Sequence, residues 1–176
     1  GGVTGGDITE NVYDASSAPW DAVSDIDRLA LVATAPDNED WVAVAGYMNV
    51  SGAPDSFVVA SEDGGDNFTY AHDVEADGIY MKVIMDMAVS PETSAGVQNI
   101  ALAGIADTNL TDAVTSNSGY GAVFRLEAGT WLTGGWVDTR VYPGWNDSTD
   151  AIDDWAFATE SVVAVDFSPN FDMDDT

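Results

Sequence analysis

The chain has 176 residues, 45% of them hydrophobic, which is enough to bury the core of one ordinary domain. Its 31 acidic residues face only four basic ones, and the formal net charge of -27 disfavours nucleic acid and anionic membranes as partners. The absence of cysteine excludes disulfides and cysteine-based zinc sites. No apolar run is long enough to span a bilayer, and we expect any export signal to lie upstream of Gly1.

A pattern of short apolar runs and polar turns begins after the polar residues 1–27. It predicts strands at 28–34 and 41–46, joined by a turn that contains Pro36, and at 57–60 and 68–71. The pattern returns as predicted strands at 84–89, 99–104, 121–126 and 130–132, with Pro91 in the first turn, and a third copy starts at Val162 and includes Pro169. The interval of about 55 to 58 residues predicts a repeated unit of four strands.

The turn between the third and fourth predicted strands reads Ser61-Glu62-Asp63-Gly64-Gly65-Asp66-Asn67-Phe68. Glycine adopts positive φ at little steric cost, and an Asp beside it can accept hydrogen bonds from the backbone of the turn. The spacing resembles the Asp-box, or BNR repeat, of extracellular β-propellers. Ser61, Asp63, Gly65 and Phe68 match that pattern, and Asn67 stands where Ser or Thr is usual. The alternative is an ordinary Asp-Gly hairpin, and the connection at 127–129 in the second unit lacks the Ser and the Asp.

The resemblance implies an all-β fold that is part of a β-propeller of four-stranded antiparallel blades. The expected divisions are a lead-in segment at 1–27, a blade with the Asp-box at 28–80, a second blade with long insertions at 81–160 and the start of a third blade at 161–176. Because a closed propeller has about four to eight blades, we expect the remainder of the same propeller, or other surface-protein subunits, to complete it. In this family the Asp-box lies on the outer rim, so a structural role is implied for it.

Four Asn-x-Ser/Thr sequons favour an extracellular, cell-surface glycoprotein. Their asparagines are Asn49, Asn67, Asn109 and Asn146. The acidic, cysteine-free composition is also similar to that of surface-layer proteins, which use divalent cations to hold negative subunits together. The sequence therefore favours a location outside the cell.

Calcium is the cofactor that clustered carboxylates on loops would suit. The candidate ligands are Asp63 with Asp66, a loop group at Asp150, Asp153 and Asp154, and a group at Asp172, Asp174 and Asp175. None of these groups matches an EF-hand loop. The alternative is that they are solvated acidic turns.

Evidence for catalysis is weaker. Trp145 and Trp155 lie in a loop with Asn146, Asp147 and the acidic pair Asp153 and Asp154, which suits glycan binding. Trp20 and Trp136 are further loop aromatics that could contact a ligand or a neighbour. Sialidases share the Asp-box but need an arginine cluster, which the four scattered basic residues do not supply. His72 is the single histidine, and no Gly-x-Ser-x-Gly motif accompanies it.

The sequence thus predicts a non-catalytic surface or scaffold module that assembles through protein contacts or bridging cations. The first alternative is a carbohydrate-active propeller enzyme of sialidase-like or xyloglucanase-like type, with Asp153 or Asp154 in its cleft. The second is a sortilin-like or assembly-factor propeller that binds peptides.

Overall fold

The computed structural model describes residues 12, 25–50, 53–108, 119–128, 135–139 and 161–171. Over these residues the chain is all-β, as predicted, and its sheets are antiparallel. The strands are β1 (Ile26–Thr34), β2 (Val42–Val50), β3 (Ala53–Ser61), β4 (Thr69–Asp73), β5 (Glu75–Ala76), β6 (Ile79–Val89), β7 (Asn99–Asp107), β8 (Tyr120–Glu127) and β9 (Val137–Asp138).

The strands form two sheets in which neighbours in space are neighbours in sequence. The first sheet has the order β1-β2-β3-β4, and the second has the order β5-β6-β7-β8-β9. The strands predicted at 28–34, 41–46, 57–60, 84–89, 99–104 and 121–126 are confirmed, and most extend a few residues further. Short apolar runs separated by polar turns are therefore sufficient to locate most strands of the two sheets.

The two sheets pack face to face around one core. The face of the first sheet that contributes to this core carries small side chains, namely Ala43, Ala45, Val58 and Ala60. Larger side chains of the second sheet complete it, among them Met87, Leu102 and Phe124. Within the pair, β6 lies against β1 and β3. Small residues on one face leave room for the larger residues of the other.

Val74, between β4 and β5, joins the two sheets through its backbone. Its N–H donates to the Ser56 carbonyl in β3 at 3.1 Å, and its carbonyl accepts from the Met81 N–H in β6 at 2.9 Å. The Ser56 hydroxyl adds a 2.6 Å hydrogen bond to the Met81 carbonyl. With this bridge the strands wrap into a nearly closed, barrel-like arrangement.

The two sheets contain the same irregularities at equivalent positions. The pairing of β1 with β2 shifts register between Ile26 and Arg28 and again between Leu29 and Leu31. The pairing of β6 with β7 shifts between Met81 and Val83 and between Ile84 and Asp86, each 55 positions later in the chain. A bulge leaves one residue without a partner and sharpens the local twist. Two bulges at the same spacing in both sheets show that the repeat seen in the sequence is also structural.

A glycine accommodates the bulge in each sheet. Gly46 pairs with Leu29, and Gly104 pairs with Ile84. A Cβ atom on Gly46 would lie 2.7 Å from the Arg28 carbonyl oxygen, and one on Gly104 would lie 1.9 Å from the Val83 carbonyl oxygen. Both positions therefore exclude a side chain, because the bulged carbonyl occupies its space.

One prediction about the later strands falls outside the described residues, and another needs correction. The first is the fourth strand of the second unit, predicted at 130–132; among the described residues, β9 at Val137–Asp138 pairs with β8. The segment predicted as the first strand of a third unit, at 162–167, pairs with no strand among the described residues. A strand needs a neighbour to form a ladder, and this segment instead contacts the second sheet through single hydrogen bonds.

Candidate functional site

The residues of the predicted Asp-box form the tight turn between β3 and β4. Ser61 is the last residue of β3, and Thr69 is the first residue of β4. Gly64 and Gly65 have φ values of 76° and 96°, which residues with a Cβ rarely adopt. The two glycines allow the chain to reverse, as the sequence predicts.

Asp63 organises the hydrogen bonds of this turn. Its Oδ1 accepts from the Ser61 hydroxyl at 2.7 Å and from the Asn67 backbone N–H at 2.9 Å, and its Oδ2 accepts from the Asn67 side-chain amide at 2.6 Å. The Ser61 hydroxyl oxygen in turn accepts from the backbone N–H groups of Asp63 and Gly65. The polar groups of the turn therefore satisfy one another through hydrogen bonds between residues at most four positions apart.

These hydrogen bonds lower the pKa of Asp63. The amide of Asn67 has the largest effect, followed by the Ser61 hydroxyl, and together with the backbone donors they lower the pKa to about 2. An acid held so firmly in its ionised form cannot serve as a proton donor near neutral pH. Both of its oxygens are also occupied by turn donors, so the chemistry of Asp63 is structural.

Residues outside the turn also hold it in place. Phe68 is only 4% exposed and packs with Val44, Phe57 and Val59 on the face of the first sheet that is turned away from the second sheet. The Gly64 N–H donates to the Asp40 carbonyl of the β1–β2 connection at 2.8 Å. These contacts tie the turn to both the sheet face and the neighbouring loop.

Trp136 occupies the corresponding place in the second sheet. It immediately precedes β9, as Phe68 precedes β4, and it is 5% exposed within the core between the sheets. Of the two contacts expected for Trp136, a ligand or a neighbour, the structure shows packing against neighbouring core residues. The aromatic residue followed by a β-branched residue, Phe68-Thr69 and Trp136-Val137, is the sequence signal that could have located β9.

A second unusual carboxyl lies at the corner where the sheets join. Burial is the main cause that raises the pKa of Asp55 to about 6, and the negative charge of Asp73 acts in the same direction. The Ser56 N–H, which donates to Asp55 at 2.7 Å, and the charge of Lys82 oppose the shift. Sequence reasoning missed Asp55, because its environment is created by residues that meet only in the folded chain.

Most of the other predicted site residues fall outside the described part of the chain. These are the acids Asp150, Asp153, Asp154, Asp172, Asp174 and Asp175, the aromatics Trp145 and Trp155, and the sequon residues Asn109 and Asn146. Asn49 is exposed at the end of β2, and Asn67 is exposed with its amide donating to Asp63. Within the described ranges, no group of three or more acids or histidines is arranged to hold a metal.

Two further observations bear on function. No helix in the described part of the chain is long and apolar enough to cross a membrane. The chain matches no protein-family model, and no curated protein matches it significantly. The functional argument therefore rests on the chain's own geometry.

Proposed function

We propose that this chain is a non-catalytic scaffold module of the Asp-box β-propeller type. In this proposal each sheet is one blade, and the module acts outside the cell in a surface-layer-like assembly held by protein contacts and bridging cations. The blade boundaries, the extracellular location and calcium as the cation belong to the proposal.

The repeated double bulge is the observation that carries it. The correspondence continues beyond the bulges, because Val44, Val59 and Phe68 of the first sheet occupy the places of Leu102, Phe124 and Trp136 in the second. In the second sheet these larger residues face the small residues of the first. The equivalent face of the first sheet, with Val44, Val59 and Phe68, is turned away from the second sheet. Repeated meanders that stack in this front-to-back order are what a propeller requires.

The turn chemistry supports a structural role rather than a reactive one. Asp63, Ser61 and Asn67 satisfy one another, and Phe68 anchors the hairpin in a hydrophobic cluster. Such a turn holds two strands in register and leaves the loops at other edges free to vary. The hydrogen bonds of the Asp63 turn therefore support a scaffold role for the chain.

Charge favours assembly through cations. A formal net charge of -27 makes copies of the chain repel one another at low ionic strength. Divalent cations shared between carboxylates would remove that repulsion locally, and oxygen ligands favour calcium. Association that depends on calcium is the expected result.

Sedimentation velocity of the purified chain tests this. In millimolar calcium chloride we expect species larger than the monomer, and we expect EDTA to return them to the monomer. Sodium chloride of matched ionic strength is the control, because it screens charge without bridging carboxylates. A monomer of unchanged mass and melting temperature in both calcium and EDTA would contradict the proposal.

The enzymatic alternative has its own test. A screen with a panel of glycans should detect no hydrolysis by the chain. Cleavage that is lost in Asp154→Asn, with the fold intact by circular dichroism, would replace the scaffold proposal with a glycosidase.

A further inference from the structure

The chain contains two Asp-Gly pairs, and the structure describes both of them. Asp63-Gly64 lies in the turn between β3 and β4, and Asp77-Gly78 forms the two-residue turn between β5 and β6. In such a pair the backbone nitrogen can attack the side chain of the preceding aspartate, because glycine carries no Cβ to obstruct the approach. The two pairs therefore place the same chemistry in two different environments.

The first pair is protected by its hydrogen bonds. Both oxygens of the Asp63 carboxylate accept from donors of the turn, and the Gly64 N–H donates to the Asp40 carbonyl. Attack requires a neutral carboxyl, since its hydroxyl must leave as water, whereas these donors keep Asp63 ionised. A carboxyl with a pKa of about 2 instead of 3.8 holds roughly 60-fold less of the neutral form at pH 6.

The second pair has the opposite surroundings. Asp77 and Gly78 are both exposed, and no hydrogen bond engages the Asp77 side chain among the described residues. A Cβ atom placed on Gly78 would meet no atom of the described chain within 4 Å. The carboxyl of Asp77 can therefore turn toward the Gly78 nitrogen without displacing a neighbour.

A proton acceptor is already in contact with that nitrogen. Asp77 and Gly78 have φ values of 54° and 80°, as the two central residues of a tight hairpin turn do. Within this turn the Gly78 N–H donates to Oε1 of Glu75 at 2.5 Å. A carboxylate in this position can take the amide proton while the nitrogen attacks.

We propose that Asp77 converts spontaneously to isoaspartate, and that the product weakens the connection between the two sheets. The Gly78 nitrogen forms a bond to Cγ of Asp77, its proton passes to Glu75, and the carboxyl hydroxyl leaves as water with that proton. Water then adds to the backbone carbonyl carbon of the five-membered imide ring and breaks the bond from that carbon to the nitrogen. The product is isoaspartate, and water is the only co-reactant.

The product lengthens the backbone at the turn that lies beside the junction of the sheets. Isoaspartate adds one carbon to the main chain at Asp77, whereas the two-residue turn holds Ala76 opposite Ile79. The next contact along this hairpin is the hydrogen bond from the Met81 N–H to the Val74 carbonyl, which joins the two sheets. Distortion of the turn therefore acts on that hydrogen bond.

Storage of the purified chain at pH 6 and 37 °C tests the proposal. Tandem mass spectrometry with electron-transfer fragmentation distinguishes isoaspartate from aspartate at each Asp-Gly pair. We expect isoaspartate to accumulate at Asp77 at least about tenfold faster than at Asp63. In guanidinium chloride, where the fold is lost, the two positions should react at similar rates. Equal rates at the two positions of the folded chain, or no isoaspartate at Asp77, overturns the proposal.

Glu75→Gln tests the proton acceptor. Glutamine keeps an oxygen that accepts from the Gly78 N–H, but it does not take the proton. The fresh variant should therefore keep the parent's melting temperature and form isoaspartate at Asp77 at least about tenfold more slowly, with no change at Asp63. An unchanged rate at Asp77 would overturn the assigned role of Glu75.

Thermal melts measure the consequence for the fold. The stored parent should melt below the fresh chain, and treatment with a protein-isoaspartate methyltransferase and S-adenosylmethionine should restore its melting temperature. Glu75→Gln stored for the same time should change little. A stored parent that carries isoaspartate at Asp77 and melts like the fresh chain would overturn the effect on the sheets. Calcium-dependent association is measured on fresh chain, so the scaffold proposal succeeds or fails separately.

Discussion

Replacement of Gly104 by alanine tests the most specific feature of the fold. The new Cβ would lie 1.9 Å from the Val83 carbonyl oxygen and 2.9 Å from the Met81 sulfur. The methionine side chain can turn aside, but the carbonyl belongs to the bulge and must move by about 1 Å to reach the closest distance that Cβ atoms tolerate. The strain therefore falls on the backbone of β6.

The expected cost follows from two opposing effects. Overpacking lowers the free energy of unfolding by roughly 1–3 kcal/mol. We expect a loss at the upper end of this range, because backbone must move at this site. Alanine recovers roughly 0.5–1 kcal/mol of the entropy that glycine loses on folding. The net loss is about 2 to 2.5 kcal/mol, which corresponds to a melting temperature lower by roughly 4–10 °C in a domain of this size.

Urea unfolding followed by tryptophan fluorescence gives the free energy of unfolding and its dependence on urea concentration. Gly135→Ala is the matched control, because nothing lies within 4 Å of its added Cβ. Gly46→Ala should fall between the two, since one of its close contacts is the Phe57 ring and the Arg28 carbonyl is 2.7 Å away. If Gly104→Ala is no less stable than Gly135→Ala, the role assigned to the bulge and its glycine is refuted.

Three further outcomes are expected. Asp63→Ala should lower the melting temperature, whereas Asp66→Ala, at an exposed position, should not. The pKa of Asp63 in the folded chain is about 2, below the ordinary 3.8, so the stability that ionised Asp63 contributes should be complete above pH 3.8 and should be lost as the pH falls through about 2 in acid titrations. Asp55→Asn should stabilise the chain by roughly 1 kcal/mol at pH 7.5, after discount for partial exposure. Because the pKa of Asp55 in the folded chain is raised to about 6, its neutral carboxyl stabilises the fold fully below pH 3.8, and this stabilisation is lost as the pH rises through 6. The gain in stability from Asp55→Asn should therefore vanish in thermal melts at pH 3.5. Tyr47→Phe leaves the Ile84 N–H without its acceptor and should cost roughly 1–2 kcal/mol in urea unfolding.

Each of these outcomes can be contradicted. An Asp66→Ala variant as unstable as Asp63→Ala would mean that general charge, rather than the turn hydrogen bonds, governs the hairpin. A gain from Asp55→Asn that is the same at pH 3.5 and 7.5 would show that titration of Asp55 is not its cause. A Tyr47→Phe variant as stable as the parent would mean that water replaces the hydroxyl at no cost.

The sequence predicted what depends on local pattern. Short apolar runs between polar turns located β1, β2, β3, β6, β7 and β8, because strands covered on both faces carry apolar residues at successive positions. The turn at Asp63 was predictable for the same reason, since its donors and acceptors lie within four residues. The backbone hydrogen bonds of Val74 to both sheets and the burial of Asp55 depend on residues that only folding brings together, so no local sequence pattern predicts them.

The fourth strand of the second sheet depends on the same distinction. The strand predicted at 130–132 lies outside the described residues, and no local pattern located β9, which pairs with β8. The segment at 162–167 has a strand's composition without a neighbour to pair with. A sequence pattern indicates which segments can form a strand, and pairing with a neighbouring strand determines which of them do.

The self-contained turn at Ser61 to Phe68 also bears on the order of folding. Because its hydrogen bonds join residues at most four positions apart, they close a very short loop, and little chain entropy opposes their formation. The connection between β8 and β9 is longer and lacks the same serine and aspartate. We therefore expect the β3–β4 hairpin to form early and to offer an edge on which β2 can assemble, while the second sheet follows. Folding rates of Ser61→Ala should then fall as its stability falls, and a change confined to the unfolding rate would reverse this order.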